Sequence, residues 1–367
     1  MAYRVVLVEN DEVQLERLAG VVRNADNFEL AASFQKVGAA LGQSSVFHPN
    51  LFLIDVDSNS NLAAIPEFML AFRNASVIGM MSKWNADIAE QCVKIGIKGC
   101  IVKPLRSEEL VEAVNVLNMR GKNKPAHIIA FFSPKGRSGK TTIVANLALS
   151  LARESGEYVG VIDADLQFGD IPIFFDIDPV STIVEATRDV DVLSPVTLNP
   201  YFIKLTDNLK LLCSPKRPEF AELVEQESLI DIIRMSSNLY RYVLIDLPSG
   251  VSPLVMGICE MANTVFLSGM MGSGFEVKHM QHALGMFQGW SDYGKSIKVV
   301  FSRVNPCNEQ EQKKLSDRLQ YPVAEILPNE YLLISVANSG HMLEGIDLDS
   351  PITKRFDKMA HDLIAMS

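Results

Sequence analysis

The stretch "HIIAFFSPKGRSGKTTIVANLALSLARE", residues 127–154, constrains the fold more than any other part of the chain. Its first seven residues form an apolar, β-branched and aromatic run that reads as a buried strand. Residues 141–154 space their apolar side chains as a helix. Between strand and helix lies the octet P-K-G-R-S-G-K-T. Such a turn aims successive backbone N–H groups and the positive end of a helix dipole at one point, which makes an anion cradle. A strand feeding a helix in this way belongs to a parallel α/β sheet.

The octet departs from the phosphate-loop pattern GxxxxGK[ST] at its first position, where Pro134 stands and a glycine arrives only at Gly136. Lys140 would reach the β/γ-phosphates of a nucleotide and the Thr141 hydroxyl would ligate Mg²⁺. Two further strands end in acids. "YVGVIDADLQFGD" (158–170) carries Asp163 and Asp165, and "YRYVLIDLPSG" (240–250) carries Asp246. Ligands of parallel sheets collect beyond the carboxyl ends of the strands, so these carboxylates and the loop converge. Asp246 fits a Walker B role on Mg²⁺. Asp163 and Asp165 are two apart, so an extended backbone points both to one side, sharing a pocket at different depths.

With these residues in place, "KGRSGKTT" resembles the deviant Walker A loop of the MinD/ParA ATPases, KGGxGKT[ST], whose signature lysine corresponds to Lys135. "VIDADLQFGD" resembles that superfamily's switch I, and "VLIDLPSG" its Walker B and switch II. "VVFSRVNP" and "EILPNE" resemble the segments framing adenine, with Ser302, Arg303 and Pro328 as their contact residues. "DLQFGDIPIFFDIDP" and "LLCSPKRPEFAELV" resemble the TadZ/CpaE branch, which serves tight-adherence and Flp-type pilus assembly. The resemblance runs over residues 126–367 and implies an ATP- and Mg²⁺-binding, slowly hydrolysing, nucleotide-dependent dimer. In it Lys135, Lys140 and Asp165 would be catalytic, Lys135 acting across the dimer interface and Asp165 positioning water. Gly136, Arg137, Ser138, Gly139, Lys140, Thr141 and Thr142 would hold the nucleotide; Thr141, Asp163 and Asp246 would serve the metal. Ser302 stands where many relatives carry Asn. Arg137 replaces the family's second glycine, at a cost of about 1–2 kcal/mol if the backbone there is left-handed. Its side chain is expected to point out of the nest, toward a partner subunit or solvent.

Residues 1–119 alternate strands (4–9, 51–56, 75–81, 99–103) with helices (12–24, 107–118), Ser107 being placed as an N-cap. They resemble a response-regulator receiver. Asn10 and Asp11 fall at its acidic pair, Asp55 at the phosphoacceptor, Lys103 before Pro104 at the conserved-lysine position, and Met81 at the switch Ser/Thr. A one-residue shift would put Ser82 there instead. Glu9 should point to the opposite strand face. With one acid missing and Met81 unable to bond a phosphoryl group, the pocket reads as degenerate. The unit is then a docking or dimerisation module that works without phosphorylation. The expected fold class is thus α/β: a flavodoxin-like receiver domain (1–119), a linker (120–125), and a MinD/ParA-type P-loop NTPase domain (126–367), each a doubly wound parallel sheet.

Composition limits the partners. The 367 residues carry a net charge of −10, which disfavours specific nucleic-acid binding. Five cysteines lie scattered without metal-ligand spacing and read as reduced cytosolic thiols. "HMQH" places His279 and His282 one helical turn apart but without further ligands. No signal-peptide pattern opens the chain, and no apolar run approaches the roughly 20 residues of a bilayer span. The tail 353–366 stripes Phe356, Met359, Ala360, Leu363 and Ile364 on one helical face, balanced by mixed charges. That pattern favours a helix packed on the sheet over a membrane anchor. The expected partners are a second copy of the chain, through the ATPase and receiver domains, and pilus or secretion machinery. The expected location is cytoplasmic, polar and at most peripheral to the inner membrane face. A phosphorylation-controlled regulator with an ATPase output, and a DNA- or division-site-positioning ATPase, are the alternatives.

Overall fold

The computed structural model describes residues 3–83, 85–103, 106–119, 125–272, 275–290, 292–330, 340, 342–343, 347 and 349–367. Pro104 and most of the expected linker, 120–124, lie outside the described residues. The chain separates into two compact units. The first is Met1–Ala126 with Asp191–Pro200 and Arg234–Arg241; the second is the remainder, His127–Ser367.

The first unit is a five-stranded parallel sheet in the order β2-β1-β3-β4-β5. Its strands are β1 (Tyr3–Val8), β2 (Phe28–Phe34), β3 (Leu51–Asp55), β4 (Ser76–Met81) and β5 (Gly99–Val102). This is the flavodoxin-like order. Strand alternation divides the core in two. Val5, Leu7, Leu53, Ile78 and Ile101 meet α1 (Glu12–Arg23) and α5 (Ser107–Met119) on one face. Val6, Val8, Phe52, Ile54 and Val77 meet α2 (Val37–Gln43), α3 (Asn59–Ala71) and α4 (Ala86–Lys94) on the other. β2 was absent from the sequence reading. Its sequence FELAASF has no fully buried residue, with Glu29 and Ser33 exposed and the rest half-buried, so an edge strand leaves no continuous apolar run. Ser107 is the first helical residue rather than a cap: its hydroxyl donates to the Val21 carbonyl at 2.9 Å.

The second unit is an eight-stranded sheet in the order β13-β12-β11-β6-β10-β7-β9-β8. Its strands are β6 (His127–Phe132), β7 (Val159–Asp163), β8 (Ile203–Lys204), β9 (Leu209–Leu212), β10 (Tyr242–Asp246), β11 (Thr264–Met270), β12 (Ile297–Ser302) and β13 (Val323–Ile326). All neighbours are parallel except β8, which runs antiparallel to β9. β6 sits inside the sheet and leads through the glycine loop into α6 (Lys140–Ser155). On one face α6 packs with the final helix, Pro351–Met366, whose Phe356, Met359, Ala360 and Leu363 are buried in the core. Two cations of that helix, Arg355 and Lys358, bind buried Glu325 at 2.6 and 3.0 Å. The amphipathic stripe therefore packs on its own unit, and these two charges neutralise a carboxylate rather than facing a lipid headgroup.

Candidate functional site

The loop after β6 crosses the carboxyl edge of the sheet, between the ends of β10 and β12. A Cβ on Gly136 would lie 3.9 Å from Ser249 Oγ in the loop after β10, whereas one on Gly139 would lie 3.3 Å from Ser302 Oγ at the end of β12. Gly139 has φ +79°, where a side chain is strained, and it opens α6. The first-turn amides of α6 have no intrahelical acceptor by helix geometry, so they are directed at whatever sits in the nest. Ser302 donates its hydroxyl to the Ser138 carbonyl at 2.6 Å, and the Ser138 and Ser268 hydroxyls approach to 3.3 Å. Two strands, β11 and β12, thereby brace the loop from behind. Ser302, expected beside a base, spends its hydroxyl on the loop; exposed Arg303 follows it and half-buried Pro328 follows β13.

Arg137 is exposed and has φ +63°, so the left-handed backbone is present and the strain of about 1–2 kcal/mol with it. Lys135 is exposed as well, while Lys140 is buried and ion-paired with Asp246. Thr141 is half-buried behind it, and Thr142, also half-buried, gives its carbonyl to Asn146 at 2.8 Å.

The acids occupy different depths. Asp163 and Asp246 are fully buried, and Asp165 is half-buried above them. Asp163 Oδ2 accepts from the Ser214 hydroxyl at 3.1 Å and from the Ile171 amide at 3.3 Å; Oδ1 accepts from the Asp165 amide at 3.3 Å. Burial pushes the Asp163 carboxyl well above the ordinary range, and the Asp246 charge adds to that while Lys140 opposes it. Burial also raises Asp246, against the pull of Lys140 and the Thr141 hydroxyl. Asp165 accepts from the Phe168 amide at 3.2 Å. Gly169 crosses so close that a Cβ there would come within 3.0 Å of both Ser214 Oγ and Asp163 Oδ2. Ser214 is a site residue the sequence reading missed; it lies after β9, inside the stretch 211–224 that was read for its family resemblance and not for its chemistry.

The donor set suits a magnesium nucleotide. Asp246 Oδ2 is buried and accepts no hydrogen bond, the Thr141 hydroxyl acts on the same carboxyl, and a phosphate can replace Asp246 as the partner of Lys140. When bound, Mg²⁺ supplies charge neutralisation for the phosphate oxygens. Asp163 positions the loop through both oxygens, and its Oδ1, with a single bond at 3.3 Å, keeps a lone pair that could serve the metal. His279 and His282 share a 180 Å³ cavity with Pro134, Lys135, Val251 and Met286. Among the described residues no three His, Cys, Asp or Glu side chains gather as a metal site. A larger cavity of 990 Å³, lined by Glu260, Trp290, Asp292 and Lys298, lies at the opposite strand ends, away from the acids and the loop.

In the first unit the structure corrects the sequence expectation. Glu9 is buried and reaches Lys103 Nζ at 2.9 Å, beside Asp55 at 3.0 Å and Asp57 at 3.4 Å. β1 ends at Val8, so the pleat no longer dictates where Glu9 points. Asp11, expected in the pocket, instead N-caps α1 by accepting from the Gln14 amide at 2.8 Å. Asn10 sits at the rim, bonded to Ser58 at 2.8 Å and Asn61 at 3.0 Å. Met81 is core, and Ser82 takes the expected switch position, its hydroxyl 3.3 Å from Lys103 Nζ. Asp57 was missed: it lies two residues past the end of β3, where strand alternation no longer fixes direction. The flanking carboxylates raise the Lys103 ammonium above its usual value, against the opposing effect of burial.

Comparison with known proteins follows the same outline. A ParA family model, described as NUBPL iron-transfer P-loop NTPase, matches residues 124–268. The putative septum site-determining protein MinD of Mesostigma viride is 25% identical over 244 residues, covering 64% of this chain and 82% of the relative. The MinD of Synechocystis sp. is 25% identical over 225 residues, covering 59% and 81%. Among solved structures, a ParA family ATPase from Chlorobium tepidum superposes with a TM-score of 0.58 at 18% identity, covering 65% of this chain and 99% of the other. MinD of Pyrococcus horikoshii, solved with Mg-ADP, gives a TM-score of 0.55 at 20% identity, covering 66% and 97%.

Proposed function

From a second unit that is a P-loop NTPase of the MinD/ParA type, we propose that this chain is an ATP-dependent dimeric switch organising a tight-adherence or Flp-type pilus assembly machine. The observation that carries the switch is the division of labour between two lysines. Lys140 is buried against Asp246, inside its own nest, whereas Lys135 is exposed at the mouth and makes no ion pair among the described residues. A cation so placed is available to a phosphate chain approaching from a second copy, where it offsets charge that develops during transfer. Thr141 and Asp246 hold Mg²⁺, Asp165 positions water, and hydrolysis is slow. The pilus assignment rests on the resemblance of residues 165–179 and 211–224 to the TadZ/CpaE branch.

The first unit joins this proposal as a receiver-like docking module. Its strand order and the meeting of Glu9, Asp55, Ser82 and Lys103 support the receiver reading. The acid supplied by Glu9 strengthens the case for a working phosphoacceptor over what the sequence alone suggested. Acetyl phosphate treatment followed by phosphate-affinity electrophoresis decides it: a shifted band lost in Asp55→Asn establishes phosphorylation. A second reading, a MinD-like positioning ATPase, is favoured by the MinD relatives.

Sedimentation of the full chain without nucleotide, with ADP and with ATP tests the switch. A dimer with ATP alone, lost in Lys135→Ala, is the expected result; a monomer under all three conditions refutes it. Localisation of the fluorescently tagged chain relative to the pilus apparatus and the division plane separates the two cellular readings.

A further inference from the structure

Among the described residues, two of the six non-glycine residues with positive φ are arginines, and both stand at the nucleotide pocket. Arg137 has φ +63° in the middle of the loop, and Arg303 has φ +55° just beyond the end of β12. The segments that carry them are joined by a hydrogen bond from the side-chain hydroxyl of Ser302, which precedes Arg303, to the carbonyl of Ser138, which follows Arg137. Both side chains are exposed, and neither makes an ion pair or hydrogen bond among the described residues. Glycine would occupy each backbone position without strain. In a chain with net charge −10, elsewhere rich in surface ion pairs, two strained and unpartnered guanidinium groups beside one anion nest call for an external anion.

We propose that Arg137 and Arg303 form a clamp over the phosphate chain, gripping from outside the nucleotide that Lys140 holds from within. The loop runs from the Ser249 side, in the segment that follows Asp246, to the Ser302 side. Arg137 therefore serves the terminal phosphate end and Arg303 the end nearer the base. The planar, multiply donating guanidinium suits both tasks, since it bonds two phosphate oxygens at once and stays charged at every working pH. The clamp makes the pocket discriminate by phosphate number: Arg137 adds more to ATP than to ADP, and Arg303 adds to both alike. This rests on the nucleotide-binding reading of the second unit.

The test pairs affinity with stability in the full chain, for Arg137→Gly, Arg303→Gly and Arg137→Lys, with Lys140→Met as control. Calorimetric titration uses Mg-ATPγS and Mg-ADP. Arg137→Gly is expected to weaken ATPγS about tenfold and ADP by no more than about threefold, and Arg303→Gly to weaken both by about tenfold. Arg137→Lys should recover most of the loss. The unfolding midpoint of each glycine variant should hold or rise by a few degrees, ~1–4 °C, because strain is released. Unchanged affinity in the glycine variants overturns the clamp. So does a lower midpoint accompanying weaker binding, since the arginines would then be supporting the fold. Wild-type protein that binds neither nucleotide removes the nucleotide-binding reading itself, a separate outcome from failure of the clamp. Loss of binding confined to Lys140→Met leaves that reading intact and ends the clamp.

Discussion

Replacing Lys140 with methionine tests the electrostatics of the candidate site at its deepest point. The change keeps most of the side-chain volume and deletes one charge. It leaves Asp246 and Asp163, both fully buried, on adjacent strands without their shared cation. Removing one partner of a buried pair costs about 3–5 kcal/mol, because the remaining charge has neither water nor a counter-ion. For a unit of this size each kcal/mol moves the midpoint by about 2–4 °C, so the unit should melt roughly 6–20 °C lower. The loss should also depend on pH. Both carboxyls already lie above the ordinary carboxylate value, so the folded unit binds more protons than the unfolded chain across that interval. Stability then falls as pH rises through it. Without Lys140 the carboxyls rise further, and the variant should recover part of its loss at pH 5.5 relative to pH 8. Urea unfolding followed by Trp290 fluorescence in a Trp84→Phe background measures this. Adding Asp246→Asn to Lys140→Met should restore most of the lost stability. A loss below about 1 kcal/mol at pH 8, or a larger loss at pH 5.5, would refute the assignment of Lys140 as the cation that neutralises this pair.

Three other perturbations address different parts of the molecule. Gly169→Ala should push the loop off Asp163 and Ser214, costing about 1–3 kcal/mol and lowering ATP turnover more than ATP affinity, measured by phosphate release and titration. Glu9→Gln should destabilise the first unit by about 1.5–3 kcal/mol by removing a charged partner of Lys103. The Lys103 pKa is raised, so the wild-type contribution is complete below the unfolded lysine value of 10.5 and disappears only in more alkaline solution, which a pH series of unfolding midpoints checks. Glu325→Ala should loosen the final helix by leaving Arg355 and Lys358 without their buried acid, at about 1 kcal/mol because both cations remain in reach of water, with faster amide exchange in 351–366. Its affinity for anionic vesicles should not change, because the apolar stripe stays in the core.

Much of this protein is written in local chemistry. The glycine loop between an apolar strand and a helix announced a parallel sheet with an anion nest, and acids at the ends of β7 and β10 marked the same edge. These features depend on alternation, helical spacing and the backbone freedom of a few residues, all of which act over short stretches of chain. The two lysines, Arg137 and the acidic strand ends could therefore be picked out before any contact was known. Tertiary structure alone decided which groups meet. Glu9 lies one residue past its strand, where alternation has no authority, and only the packing of β1 beside β3 brings it to Asp55 and Lys103. Ser214 reaches Asp163 across 51 residues, and Ser302 reaches Ser138 across 164, because parallel strands place distant segments side by side. β2 stayed hidden since an edge strand needs no continuous apolar run. Whether Arg137 is strained was likewise beyond local pattern: its left-handed backbone is set by the loop that Ser302 and Ser268 brace from behind.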